Sequence, residues 1–99
     1  MNIFENIPDT LNGEIFTTLL ESKDVKIERI VSDGQTSKEW YDQEQNEWIL
    51  LLQGNAIIEF EDRSIELKSG DTLNIPFHVK HKVAYTSNAP KCIWLALFY

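Results

Sequence analysis

Residues 47–60 decide the fold class: Glu47-Trp48-Ile49-Leu50-Leu51-Leu52-Gln53-Gly54-Asn55-Ala56-Ile57-Ile58-Glu59-Phe60. Two runs rich in branched and aromatic residues, Glu47 to Gln53 and Ala56 to Phe60, flank the turn pair Gly54-Asn55. This pattern predicts two strands joined as a hairpin. In the first run, alternation puts Glu47, Ile49, Leu51 and Gln53 on one face and Trp48, Leu50 and Leu52 on the other. Both faces are apolar, so both must be covered.

The same period of two extends outward in both directions. Val25 to Val31 reads as a strand closed by Ser32-Asp33-Gly34, and a tight turn falls near Asp62-Arg63. Ser69-Gly70-Asp71 turns the chain into a strand over Thr72 to Ile75, which Pro76 breaks. His81 to Tyr85 and Cys92 to Tyr99 are the last two strands, separated by Asn88-Ala89-Pro90. Upstream, Leu11, Ile15 and Leu19, with Phe16 and Leu20, sit at helical spacing behind Pro8, which predicts one short helix ending near Glu21 or Ser22. The expected fold is therefore all-β: a small barrel of about eight antiparallel strands with one short N-terminal helix. One domain covers 1–99, with a helical segment over 1–23 and the barrel over 24–99.

Composition narrows the function classes. The 99 residues are 42% hydrophobic and 25% charged, ordinary values for a folded globular domain. Nine Lys and Arg against sixteen Asp and Glu give a net charge of −7. Such a surface repels phosphate backbones and anionic headgroups, so neither nucleic acid nor membrane is expected as a partner. One cysteine precludes an internal disulfide, and the first residues lack a signal-peptide pattern, so a cytoplasmic location is expected. The last strand, like the 47–53 strand, is apolar on both faces, with Ile93, Leu95 and Leu97 opposite Trp94, Ala96 and Phe98. A second copy of the chain is the simplest cover beyond the helix, which predicts a homodimer.

Two spacings carry a family resemblance: Gly34-x5-Trp40-x-Asp42-x4-Glu47-x6-Gly54 and Gly70-x5-Pro76-x-His78-x2-His81-x3-Tyr85. They resemble the two conserved stretches of the cupins, G-x5-H-x-H-x(3,4)-E-x6-G and G-x5-P-x-G-x2-H-x3-N. The run Trp40-Tyr41-Asp42-Gln43 with Ile75-Pro76 and His81 is similar to small single-domain bacterial cupins. The resemblance spans residues 34 to 85 and implies a jelly-roll barrel. It also implies a divalent metal held by two His and a Glu of the first stretch and the His of the second. Here Trp40 and Asp42 replace those two His, whereas Glu47 and His81 match. His78 stands at the family's Gly and Tyr85 at its Asn.

The residues themselves allow two readings. In the first, Asp42, Glu47 and His81 converge on Fe, Mn, Ni or Zn inside the barrel and act on a small metabolite, by oxygenation or isomerisation. Trp40, His78 and Tyr85 then shape the pocket. Alternation supports this by placing His81, Val83 and Tyr85 on one strand face and by giving Trp40 and Asp42 a common face. In the second, no metal is bound, and the barrel is a non-catalytic binding or regulatory module. Trp40 is then a stacking wall, and Asp42 and Glu47 accept hydrogen bonds from a small-molecule ligand. His78 reads as a rim residue, Lys80 and Lys82 as solvated edge residues, Tyr41 and Trp48 as packing, and Cys92 as a small buried apolar residue.

Overall fold

The computed structural model describes residues 1–99. Eight strands follow one another along the chain: β1 Ile15–Glu21, β2 Lys26–Ser32, β3 Glu47–Gln53, β4 Asn55–Phe60, β5 Ser64–Lys68, β6 Thr72–Ile75, β7 His81–Thr86 and β8 Cys92–Phe98. They form a five-stranded sheet in the order β1-β2-β8-β3-β6 and a three-stranded sheet in the order β5-β4-β7. All neighbouring strands are antiparallel. One core cluster draws on both sheets, with Ile49, Leu51, Ile75, Trp94 and Ala96 facing Ala56, Ile58, Phe60 and Leu67. No helix is long and apolar enough to cross a membrane.

The expected N-terminal helix is absent; residues 15–21 are β1, paired with β2 from Ile15↔Val31 to Glu21↔Lys26. The spacing of Leu11, Ile15 and Leu19 fits period two as well as it fits a helical face. Branched Ile15, Thr17 and Thr18 beside aromatic Phe16 favour the pleated backbone. An available edge on β2 then decides between the two, because tertiary pairing overrides a short helical pattern.

Gly54-Asn55 does not close a hairpin. β3 pairs with β6 and β8, whereas β4 pairs with β5 and β7, so this turn carries the chain from one sheet to the other. Gly54 adopts φ +100°, the left-handed region, with its backbone against Cys92 and Ser87. Beyond it, the Asn55 N–H donates to Ser87 Oγ at 3.0 Å and the Ser87 N–H donates to the Asn55 carbonyl at 2.9 Å. Those bonds commit β4 to β7 rather than to β3. The Asp62-Arg63 turn is a true hairpin, closed by the Phe60 N–H donating to the Arg63 carbonyl at 2.7 Å.

The outward face of the large sheet is covered unevenly. Arg29 is buried and donates from Nη1 to the carbonyls of Ile3 at 3.2 Å and Glu5 at 2.7 Å, fastening the N-terminal segment across β2. Val31 and Ile93, cross-strand partners on that face, are buried there. Farther along, the pairs Trp48↔Leu97 and Leu50↔Leu95 remain only half-buried.

Candidate functional site

A cavity of about 200 Å³ opens between the two sheets. Its floor is apolar, with Ile49, Ile58, Ile75 and Trp94 shared with the core. Its polar lining is Glu14, Glu28, Gln43, Glu47 and His81, and the aromatic rings of Phe16, Tyr41 and Phe98 complete the wall. None of the fourteen lining residues is Lys or Arg.

Glu47 and His81 come from strands of opposite sheets. Glu47 shares the inward parity of Ile49 and Leu51, as the alternation predicts, and is buried. His81 begins β7, is also buried, and faces Glu47 with Nε2 3.5 Å from Oε1. Its other nitrogen, Nδ1, lies 3.0 Å from the Val79 carbonyl, which can only accept, so Nδ1 carries a proton. Nε2 therefore meets the carboxyl group either as a bare lone pair or as a second N–H donor. Burial, the largest single influence, pushes the imidazole down. The Glu47 hydrogen bond, the Val79 carbonyl and the Glu47 charge together outweigh it, and the His81 pKa lies above its usual 6.5. The pair is thus built to hold a proton.

Of the remaining expected site residues, none lines the cavity. Trp40 and Asp42 do share a face, but it is the outward one. Tyr41 and Gln43, the alternate residues, turn in. Reciprocal backbone bonds set this register, with the Tyr41 N–H donating to the His81 carbonyl at 2.7 Å and the His81 N–H to the Tyr41 carbonyl at 3.1 Å. Asp42 Oδ1 instead lies 2.7 Å from Nδ1 of His78, both side chains being about half exposed. The Trp40 ring lies under the Lys82 ammonium, 4.5 Å from its centroid, so Lys82 is held against the ring rather than simply solvated.

Tyr85 is turned out by an irregularity no alternation rule anticipates. The β4–β7 register slips between Ile57↔Tyr85 and Ile58↔Val83, leaving Ala84 as an extra residue. Beyond that bulge the faces exchange, so Val83 packs on the core and Tyr85 lies on the outer surface beside Ile57 and Glu66.

Asp42, Glu47 and His81 accordingly do not form one donor set. No group of three His, Cys, Asp or Glu side chains is placed to hold a metal ion. Two converging donors that already face each other fall short of the three or more protein ligands a divalent metal centre uses. The residues present do not fit the expected metal.

Four cavity residues were not foreseen as site residues: Glu14, Glu28, Tyr41 and Gln43. Glu28 lies on the β2 face with Ile30, a face that reads as solvent-directed in sequence but is turned inward by pairing with Ala96 of β8. Glu14 precedes β1, and its Oε2 accepts the Ser32 hydroxyl at 2.5 Å, while Ser32 Oγ accepts the Trp94 indole N–H at 3.2 Å. The alternation Glu28, Ile30, Ser32 was the available signal.

The family described as "Cupin domain" matches residues 27–98. A solved structure from Ralstonia eutropha JMP134, described as "a putative mannose-6-phosphate isomerase", is 41% identical with a TM-score of 0.94. That match covers 99% of this chain and 94% of the other. A cupin superfamily protein from Desulfitobacterium hafniense DCB-2 is 26% identical at a TM-score of 0.80, covering 93% of this chain and 82% of its own. A cupin-2 domain containing protein from Shewanella frigidimarina NCIMB 400, at 20% identity and TM-score 0.71, covers 89% of this chain and 82% of its own and shows the shared fold alone. No curated protein matches the chain.

Proposed function

The chain belongs to the cupin family, and on that premise we propose that its barrel binds one small organic ligand without a metal, as a binding or regulatory module. The observation that carries this reading is the cavity itself, an apolar floor under a rim of acidic groups with the Glu47–His81 pair at its side. A concave, mostly apolar pocket with a few convergent polar groups is the usual form of a small-ligand site. The phosphosugar chemistry named for the Ralstonia relative suits this lining poorly. A phosphate dianion would meet Glu14, Glu28 and Glu47 with no Lys or Arg among the lining residues. The three-ligand metal centre would require Asp42 to leave His78 and enter the cavity.

The test is a thermal-shift screen of sugars and small polar metabolites in chelator, alongside metal analysis of protein purified without added metal. A ligand at tenfold excess over its Kd stabilises by about 1.4 kcal/mol, or about 6–11 °C in a domain of this size. We expect such shifts with EDTA present and metal well below one equivalent. A flat screen, with one equivalent of metal lost in His81→Ala, overturns the reading and restores the metal centre.

The half-buried outward residues Trp48, Leu50, Leu95 and Leu97 are where we place a second copy. Light scattering at micromolar concentration should give twice the chain mass of 11.5 kDa. A monomer mass removes this part of the proposal.

A further inference from the structure

The charge balance inside the cavity favours a cation over a neutral ligand. Three carboxylates line it, and the only nitrogen base among the lining side chains is His81, already facing Glu47. Glu28 is 7% exposed, and its carboxylate is held by an ion pair rather than by a hydrogen bond. The nearest donor is the Lys26 ammonium, 3.6 Å from Oε2, on a side chain that is itself well exposed. A carboxylate whose charged partner is an exposed ammonium beyond hydrogen-bond distance keeps acceptor positions free for a donor that arrives with the ligand.

Three properties of that donor follow. It is cationic, because three carboxylates with no Lys or Arg among the lining residues leave a negative charge that a cation offsets and a neutral donor does not. It is not a bare divalent metal ion, because no three donor side chains converge on one point. It also carries apolar surface, because nine of the fourteen lining residues are hydrophobic, with the rings of Phe16, Trp94 and Phe98 among them. Aromatic faces beside carboxylates form a favourable setting for an organic cation, the rings contributing their negative quadrupole faces.

We propose that the ligand is a small organic ammonium, its charged nitrogen held by the cavity glutamates, Glu28 foremost, and its apolar body laid against Phe16, Trp94 and Phe98. This deepens the cavity-binding reading and rests on it. A body of one ring or a short chain suits a cavity of about 200 Å³.

The experiment uses three probes of one size, benzylammonium, benzyl alcohol and benzoate, titrated calorimetrically into the whole protein at fixed ionic strength in EDTA. We expect benzylammonium to bind most tightly, benzyl alcohol more weakly and benzoate weakest. Glu28→Gln, which keeps the side-chain shape, should weaken benzylammonium about tenfold and leave benzyl alcohol nearly unchanged. Glu66→Gln, on the outer surface of the small sheet, should alter neither. Circular dichroism and a cooperative melt establish that each variant folds. Glu14→Gln gives a second reading should Glu28→Gln fail to fold. Equal affinity for the ammonium and the alcohol overturns the ammonium assignment while leaving cavity binding intact. An ammonium affinity insensitive to the cavity glutamates also overturns it, as a diffuse effect of the −7 net charge. Failure of all three probes, together with a flat screen of neutral metabolites, removes both inferences.

Discussion

Gly54→Ala is expected to lower stability by about 2–5 kcal/mol, a large share of the roughly 5–15 kcal/mol that holds a small domain folded. Two costs add at this position. A side chain at φ +100° strains the backbone by about 1–2 kcal/mol, the cost of left-handed geometry for an L-residue. The new Cβ would also lie 2.8 Å from Cys92 Sγ, 2.9 Å from Ser87 Oγ and 3.0 Å from Cys92 Cα. Cys92 and Ser87 are buried, and the Cα belongs to the β8 backbone, so relief requires moving strands apart at a further cost of about 1–3 kcal/mol. Urea unfolding would show a midpoint lowered by about 2 M with little change in slope. Gly70→Ala is the internal control. Gly70 has φ +94° but nothing within 4 Å of the added Cβ, so only the backbone cost of about 1–2 kcal/mol applies. Equal losses in the two variants would mean that the sheet-to-sheet handover at Gly54 is not sterically specified.

The second large effect is pH-dependent and centres on His81. Its pKa is raised on folding, so the folded chain binds the proton more tightly than the unfolded chain does. That contribution is complete below about pH 6.5 and is lost as pH rises through the folded value. Urea melts at pH 5.5, 7 and 8.5 should therefore show stability falling with increasing pH. Glu47→Gln removes the charge that raises the imidazole and should flatten this part of the profile. His78→Gln, at the exposed Asp42 pair, should leave the fall in place. His81→Leu leaves the buried Glu47 without its partner and is expected to cost about 3–5 kcal/mol at pH 5.5. Stability that rises between pH 5.5 and 8.5 in the wild type would contradict the assigned proton.

How much of the site was legible in the sequence depended on whether a residue lay inside a regular strand. Glu47 was legible because β3 alternates without interruption from Glu47 to Leu51, and Ile49 and Leu51 mark the inward face. His81 was legible because Lys80 and Lys82 flank it and belong in water. Asp42 and Trp40 were not, since an irregular segment has no fixed parity. Its direction is set by the bridge between Tyr41 and His81, which lies forty residues away in sequence. Tyr85 was misread because a single extra residue, Ala84, exchanges the two faces of β7. Glu28 was missed because an acidic residue on an alternating strand reads as solvated until its neighbours close over it.

Taken alone, the sequence determined the all-β class, the positions of six of the eight strands, the two apolar faces of β3 and β8, and the membership signalled by Gly, Glu, Gly, Gly, Pro and His at fixed spacing. These are local or periodic properties, written in backbone preference and in the period of two. The tertiary structure decided the rest: that residues 15–21 pair as β1, that Gly54 carries the chain between sheets, and that Asp42 faces His78 while Glu28 faces the cavity. Each of these depends on which distant strand supplies hydrogen bonds and which face it covers. Such partners are chosen by the free energy of the whole assembled barrel and leave little trace in the local order of residues.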